Sequence, residues 1–167
     1  SNKMSNNLTK PTKKFVMDSL YGIAKSKSCL ISNIARALKE DVKLKYVIER
    51  LCDNYSNLTD NEISILKNNY YNEVKDLFHD EPIAIFDDSD IAKRYGKKFE
   101  DLDRVIDASS INKEVVNGYH ICEAVVLGKE QKQPISLYSE IYSCKSNNFI
   151  SKNKYTFESI DTVRKVL

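Results

Sequence analysis

Residues 83–90 constrain this chain more than any other stretch. Four apolar residues, Ile83, Ala84, Ile85 and Phe86, follow a proline and run directly into Asp87, Asp88, Ser89 and Asp90. An apolar run this short reads as a strand buried on both faces. Carboxylates ending such a strand need partners, because an unpaired buried charge is costly, and a bound divalent cation is one common partner. The alternative is that Asp87 and Asp90 are turn residues that hydrogen-bond their own backbone as the strand ends. Strand alternation sorts the three: Asp88 and Asp90 share one face with Phe86, and Asp87 shares the other with Ile85.

Helical periodicity dominates before this strand. Phe15, Val16, Leu20, Ile23 and Ala24 form one stripe, and Leu30, Ile31, Ile34, Ala35 and Leu38 a second, which Ser28 is placed to cap. Leu44, Val47, Ile48, Leu51, Cys52 and Tyr55 form a third. None of these short helices can bury its stripe alone, so they must pack on one another. Thr59 to Glu62 has the form of a capping box. It opens a fourth helix through Ile63, Leu66, Tyr70, Val74, Leu77 and Phe78, which Pro82 brings to an end.

The period then changes. Residues 99–118 read as an irregular excursion closed by the turn dipeptide Asn117-Gly118. Tyr119 to Leu127 reads as a second buried strand, Gly128 to Gln133 as a polar connection, and Ile135 to Tyr142 as a third strand. In the third strand Leu137 and Ile141 alternate against Tyr138 and Tyr142. A final helix carries Phe157, Ile160, Val163 and Val166, with Thr156 as its cap. The expected organisation is α+β, with residues 1–10 outside the fold, a helical domain over 11–80 and a strand-rich domain over 81–167.

Charge is segregated beneath a net value of +2. Residues 1–58 hold 11 Lys/Arg against 5 Asp/Glu, residues 59–92 hold 2 against 9, and residues 93–167 hold 13 against 10. The basic N-terminal part points to a polyanion, and the acidic segment to cations, although solvated helix faces also carry such charges. Arg36, Lys39, Lys43 and Lys45 are candidates for phosphate contacts of a helix-turn-helix-like reader. Lys93, Arg94, Lys97 and Lys98 form a second basic group just beyond the acidic strand and are candidates for DNA phosphate contacts there. Cys29, Cys52, Cys122 and Cys144 form no CxxC pair, which argues against a structural zinc site or a disulfide framework. His79 and His120 lack metal-ligand spacing and read as structural or surface residues. No apolar run reaches the roughly 20 residues of a membrane helix.

The succession Ile83 to Lys93 resembles the first catalytic strand of DDE-type insertion-sequence transposases, in the group loosely called IS-four-like. Gly96-Lys97-Lys98, Val105-Ile106-Asp107, Gly118-Tyr119 and the helical stretch Ser32 to Leu38 resemble the same family, in the same order, over most of residues 13–167. The resemblance implies a helical DNA-binding-like domain and the first part of an RNase H-like fold, with three antiparallel strands and a helix. It implies Asp88 as the first catalytic carboxylate, because Asp88 directly precedes the hydroxyl residue, with Asp87 and Asp90 as second choices and Asp88 and Asp90 as candidate metal ligands. Mg2+ or Mn2+ is the implied cofactor of the full-length enzyme, with folding of this chain needing no metal. Double-stranded DNA at transposon ends is the implied partner, with room for a homodimer on that DNA and no membrane association, in the nucleoid-associated bacterial cytoplasm.

The family's second aspartate follows the first helix, and its glutamate comes later still. Glu123, Glu140 and Glu158 lie on the wrong elements to replace them. The expectation is therefore an N-terminal portion of a transposase, inactive alone. The competing expectation is a non-enzymatic DNA-binding or regulatory module, and a third is an interaction domain that binds no nucleic acid.

Overall fold

The computed structural model describes residues 3–129 and 134–167. The Gly128–Gln133 connection falls partly outside them, from residue 130 onward. The chain divides between Glu73 and Val74 into two compact units, a few residues ahead of the boundary expected near residue 80.

The first unit is helical. It holds α1 (Lys10–Ser26), α2 (Ile31–Leu38), α3 (Leu44–Ser56) and α4 (Asp60–Val74). Its core is Ile34, Ala35, Val47 and Leu51, flanked by Phe15, Ile31, Leu38 and Ile48, all on the expected stripes. Gly22 lets α1 cross close to α2, since a Cβ there would lie 2.5 Å from Ile34 Cγ2. The capping box forms as expected: the Thr59 amide donates to Glu62 Oε2 at 3.1 Å and the Glu62 amide donates to Thr59 Oγ1 at 3.2 Å. Glu62 also accepts a hydrogen bond from the Thr12 hydroxyl on α1. Residues ahead of Lys10 include a 3-10 turn, Lys3–Ser5, with Ser5 buried and the Met4 and Asn6 carbonyls accepting from Asn69 Nδ2. Ser28 does not occupy the N-cap of α2. Leu30 does, and Ser28 Oγ instead accepts from the Leu30 amide and Asn33 Nδ2. The fourth helix stops at Val74 and tightens into a 3-10 turn, Lys75–Leu77, so Phe78 lies beyond it and bridges to Gly128 as extended backbone.

The second unit is one antiparallel sheet with one helix on it: β1 (Ala84–Ala92), β2 (Asp103–Ile106), β3 (Val115–Leu127), β4 (Pro134–Tyr142) and α5 (Lys152–Val166). The long β3 is central. β1 pairs along one side of it, and β2 and then β4 pair along the other. The α+β class is as expected, but the sheet has four strands rather than three. The region 99–118 is not wholly irregular, since it contributes β2. Asn117 and Gly118 lie within β3 instead of closing a turn. Glycine is required at 118 because the β1 backbone and a β2 side chain close over it: a Cβ would sit 2.3 Å from the Ile91 carbonyl and 2.4 Å from Val105 Cγ2.

Two further expectations fail for reasons of pairing. β1 is not buried on both faces. It is a sheet edge, with Ile85 47% and Phe86 41% exposed, because no described strand pairs with its outer side. A bulge opposite Ala124/Val125 inserts Leu137, which puts Leu137 and Ile141 on opposite faces, the first buried and the second exposed. α5 is capped by Ser151, whose Oγ accepts from the Lys154 amide at 3.2 Å, and Thr156 lies inside the helix. Its buried face is centred on Ser159 and Val163, while Phe157 and Ile160 are exposed. Two small residues, Ser159 of α5 and Ala124 of β3, are fully buried.

Candidate metal-binding face of the sheet

β1 does not end at its carboxylates. The strand runs through Asp87, Asp88 and Asp90 to Ala92, so these residues are strand and not turn. Register divides them as alternation predicts. Asp88 lies across from Cys122 and Asp90 from His120, on the face that α5 covers, whereas Asp87 lies across from Glu123 on the open face.

Asp88 is exposed and interacts with the buried Cys122 thiol beside it. Burial, reinforced by Asp88, pushes that thiol up to about 11. Tyr142 is pushed up to about 12, first by burial and then by the Asp88 charge.

Both oxygens of Asp90 are engaged. Oδ1 lies 2.7 Å from His120 Nδ1, and Oδ2 accepts from the Ile106 amide at 2.9 Å. The carboxylate at Nδ1 orients the imidazole, so that Nε2 is the nitrogen turned to the other side. Nε2 faces Asp103 Oδ2 at 3.6 Å. The Asp103 carboxylate in turn accepts from the Arg104 amide at 2.7 Å and the Cys144 amide at 2.9 Å. Burial alone would raise Asp103, but those two amides hold it below the usual carboxylate range. The Cys144 thiol is raised, first by burial and then by the neighbouring Asp103. One ligand atom from each of Asp103, His120 and Cys144 falls within 4.8 Å of the others. Tyr142 packs against the His120 ring with centroids 5.4 Å apart, and Tyr142 stacks on Tyr155 of α5 at 4.0 Å.

The basic candidates separate into two kinds. Arg94 is neutralised: Nε donates to Asp107 and one terminal nitrogen to Glu114, both at 2.7 Å, which ties the turn after β1 to the segment between β2 and β3. Lys93, Lys97 and Lys98 line an open cavity of about 620 Å³ together with Tyr95 and Phe99, and Tyr95 is 94% exposed. In the first unit Arg36, Lys39, Lys43 and Lys45 are all exposed around the α2–α3 connection. There Arg36 leans on Asn33, and Lys45 pairs with Glu49 at 3.6 Å. Arg50, outside the expected set, is held by Asp18 and Glu40.

His120, Asp103 and Cys144 were not expected to act together. They share no local spacing in the sequence. Their partners come from residues 30, 17 and 24 positions away from His120, and only the pairing of β1, β2 and β4 with β3 brings them close. No family model, no curated protein and no solved structure matches the chain.

Proposed function

We propose that the second unit is the opening part of an RNase H-like domain of a DNA transposase, in which Asp88 supplies the first carboxylate to catalytic Mg2+ or Mn2+. The observation that carries this reading is the position of Asp88: an exposed carboxylate at the middle of a strand, on the face backed by a helix, beside a strand edge that no described strand pairs. Magnesium chemistry on phosphodiesters uses carboxylates held on rigid backbone, with ions about 4 Å apart. The open side of β1 offers backbone donors and acceptors to a further strand. A strand added there would bring its own residues next to Asp88, and the family resemblance expects the second aspartate on a strand after the first helix.

Within the described residues the other carboxylates are either engaged or displaced. Asp90, on the same face as Asp88, is taken up by His120 and the Ile106 amide. Glu123 is on the opposite face. Glu140 lies two strands away, about 10 Å at the usual strand spacing, and Glu158 bonds the Tyr138 hydroxyl. The described chain is therefore expected to bind DNA without cutting it. Lys93, Lys97 and Lys98, interleaved with Tyr95 and Phe99, form the contact nearest Asp88, and the α2–α3 connection forms the second. A homodimer on DNA belongs to the same reading.

Fluorescence anisotropy of a labelled duplex, titrated at several salt concentrations with and without Mg2+, tests it. Binding should weaken steeply with salt. Replacing Lys97 and Lys98 by alanine should reduce the log–log salt slope by about 0.9 for each phosphate that is no longer neutralised. Asp88→Asn should tighten Mg2+-free binding, by removing a like charge facing the phosphates, and should abolish the effect of Mg2+. A salt-dependent affinity wholly indifferent to Asp88 would favour the regulatory DNA-binding module. Absence of duplex binding at low salt would sink both.

A further inference from the structure

We propose that Asp103, His120 and Cys144 form a binding site for a borderline-soft transition-metal ion, Zn2+ above all, with Asp90 as the residue that positions His120. This site is separate from the Asp88 position and does not depend on the transposase reading.

Three observations carry it. The donor set comes first: one carboxylate, one imidazole and one thiol converge from β2, β3 and the turn after β4, with all three ligand atoms inside 4.8 Å of one another. A tetrahedral zinc with ligands at 2.0–2.3 Å places its ligand atoms about 3.3–3.6 Å apart. The His120 Nε2 to Asp103 Oδ2 separation of 3.6 Å already meets that spacing. Cys144 is exposed at the start of a turn, so a side-chain rotation can close the remainder.

Orientation comes second. Metal-bound histidines usually donate their other ring nitrogen to a carboxylate, which fixes the tautomer and raises the basicity of the ligating nitrogen. Asp90 holds His120 Nδ1 in that way and is itself anchored by the Ile106 amide. The aromatic stack of Tyr142 on Tyr155 braces the other side of the imidazole.

Access comes third. His120 and Asp103 are nearly buried, but the Cys144 side faces solvent, which gives an ion a way in and leaves a fourth position for water or a substrate atom. Thiolate and imidazole favour zinc-like ions over Mg2+, which takes oxygen ligands in octahedral array. The same residues also have the composition of a cysteine nucleophile with a His–Asp base. Asp103 argues against that use, because it sets an anion and not a cation beside the sulfur. A dication between them turns the same neighbour into a second ligand.

Cobalt substitution tests the proposal on the full chain. The metal-free protein should take up one Co2+ with thiolate-to-cobalt charge-transfer absorption and the intense visible bands of tetrahedral cobalt. Zn2+ should displace it and millimolar Mg2+ should not. Cys144→Ser should abolish the charge-transfer band, Cys122→Ser should leave it, and Asp90→Asn should weaken binding roughly 10- to 100-fold while keeping the spectrum. Zn2+ should also slow alkylation of Cys144 and leave Cys29 unaffected, a readout that needs no variant. No cobalt spectrum at micromolar metal, a band that survives Cys144→Ser, or binding unchanged in His120→Gln would overturn it. In those cases the Asp90–His120–Asp103 array is a structural charge network only.

Discussion

Asp90 and His120 are 30 residues apart in the chain, yet Asp90 Oδ1 sits 2.7 Å from His120 Nδ1 because antiparallel register places them directly opposite on β1 and β3. His120 also separates Asp90 from Asp103. In metal-free protein His120→Ala removes the ring partner of Asp90 Oδ1 and leaves two carboxylates across a gap, each held only by backbone amides. The expected loss of stability is about 1–3 kcal/mol, read from the urea midpoint. Asp90→Asn should cost less, since its amide oxygen can still accept from Ile106.

Gly118→Ala should be among the most damaging single changes in the second unit. The added methyl meets a backbone carbonyl at 2.3 Å, and backbone cannot move aside as a side-chain tip can. Overpacking of this kind costs about 1–3 kcal/mol or more, measurable as a lowered thermal midpoint. Gly22→Ala should be milder, because the atom it meets first is a methyl group of Ile34.

The helical unit should weaken in acid through Glu62. The Thr12 hydroxyl, then the Thr59 amide and hydroxyl, hold this carboxylate below its ordinary range. A depressed folded-state value means that the stabilisation is complete above the ordinary carboxylate range and is lost as pH falls through the folded value. Helical circular dichroism followed in urea at stepped pH should show this decline in the wild type. Glu62→Gln should flatten it.

Arg94 should behave as a strut and not as a DNA contact. Arg94→Ala removes the cation between Asp107 and Glu114 and frees the turn that carries Lys97 and Lys98. Trypsin should then cleave at those lysines several-fold faster, while the salt slope of duplex binding stays unchanged. A reduced slope would assign Arg94 to the phosphate-contacting set.

Cys29, Cys144 and Cys122 should separate in alkylation. Cys29 and Cys144 are exposed, whereas Cys122 is buried and shifted up to about 11 by burial and by Asp88. Mass spectrometry after iodoacetamide treatment at pH 8 should find Cys122 unmodified until urea unfolds the sheet. Early modification of Cys122 would mean that α5 opens readily.

What the sequence determined by itself is what depends on near neighbours. The period of 3.6 located five helices, and the Thr59–Glu62 spacing located a cap that forms bond for bond. Alternation along Phe86 to Asp90 separated Asp88 and Asp90 from Asp87 before any partner strand was known, because a strand's two faces are a property of its own backbone. Pairing was not legible in this way. Whether Ile85 and Phe86 are buried depends on what lies across the outer side of β1, and the exposure of Ile141 depends on one residue inserted at the bulge. The Asp90, His120, Asp103 and Cys144 cluster draws on β1, β2, β3 and the turn after β4, so no spacing in the chain announces it. Register is a relation between distant segments, and only the assembled sheet decides which side chains meet.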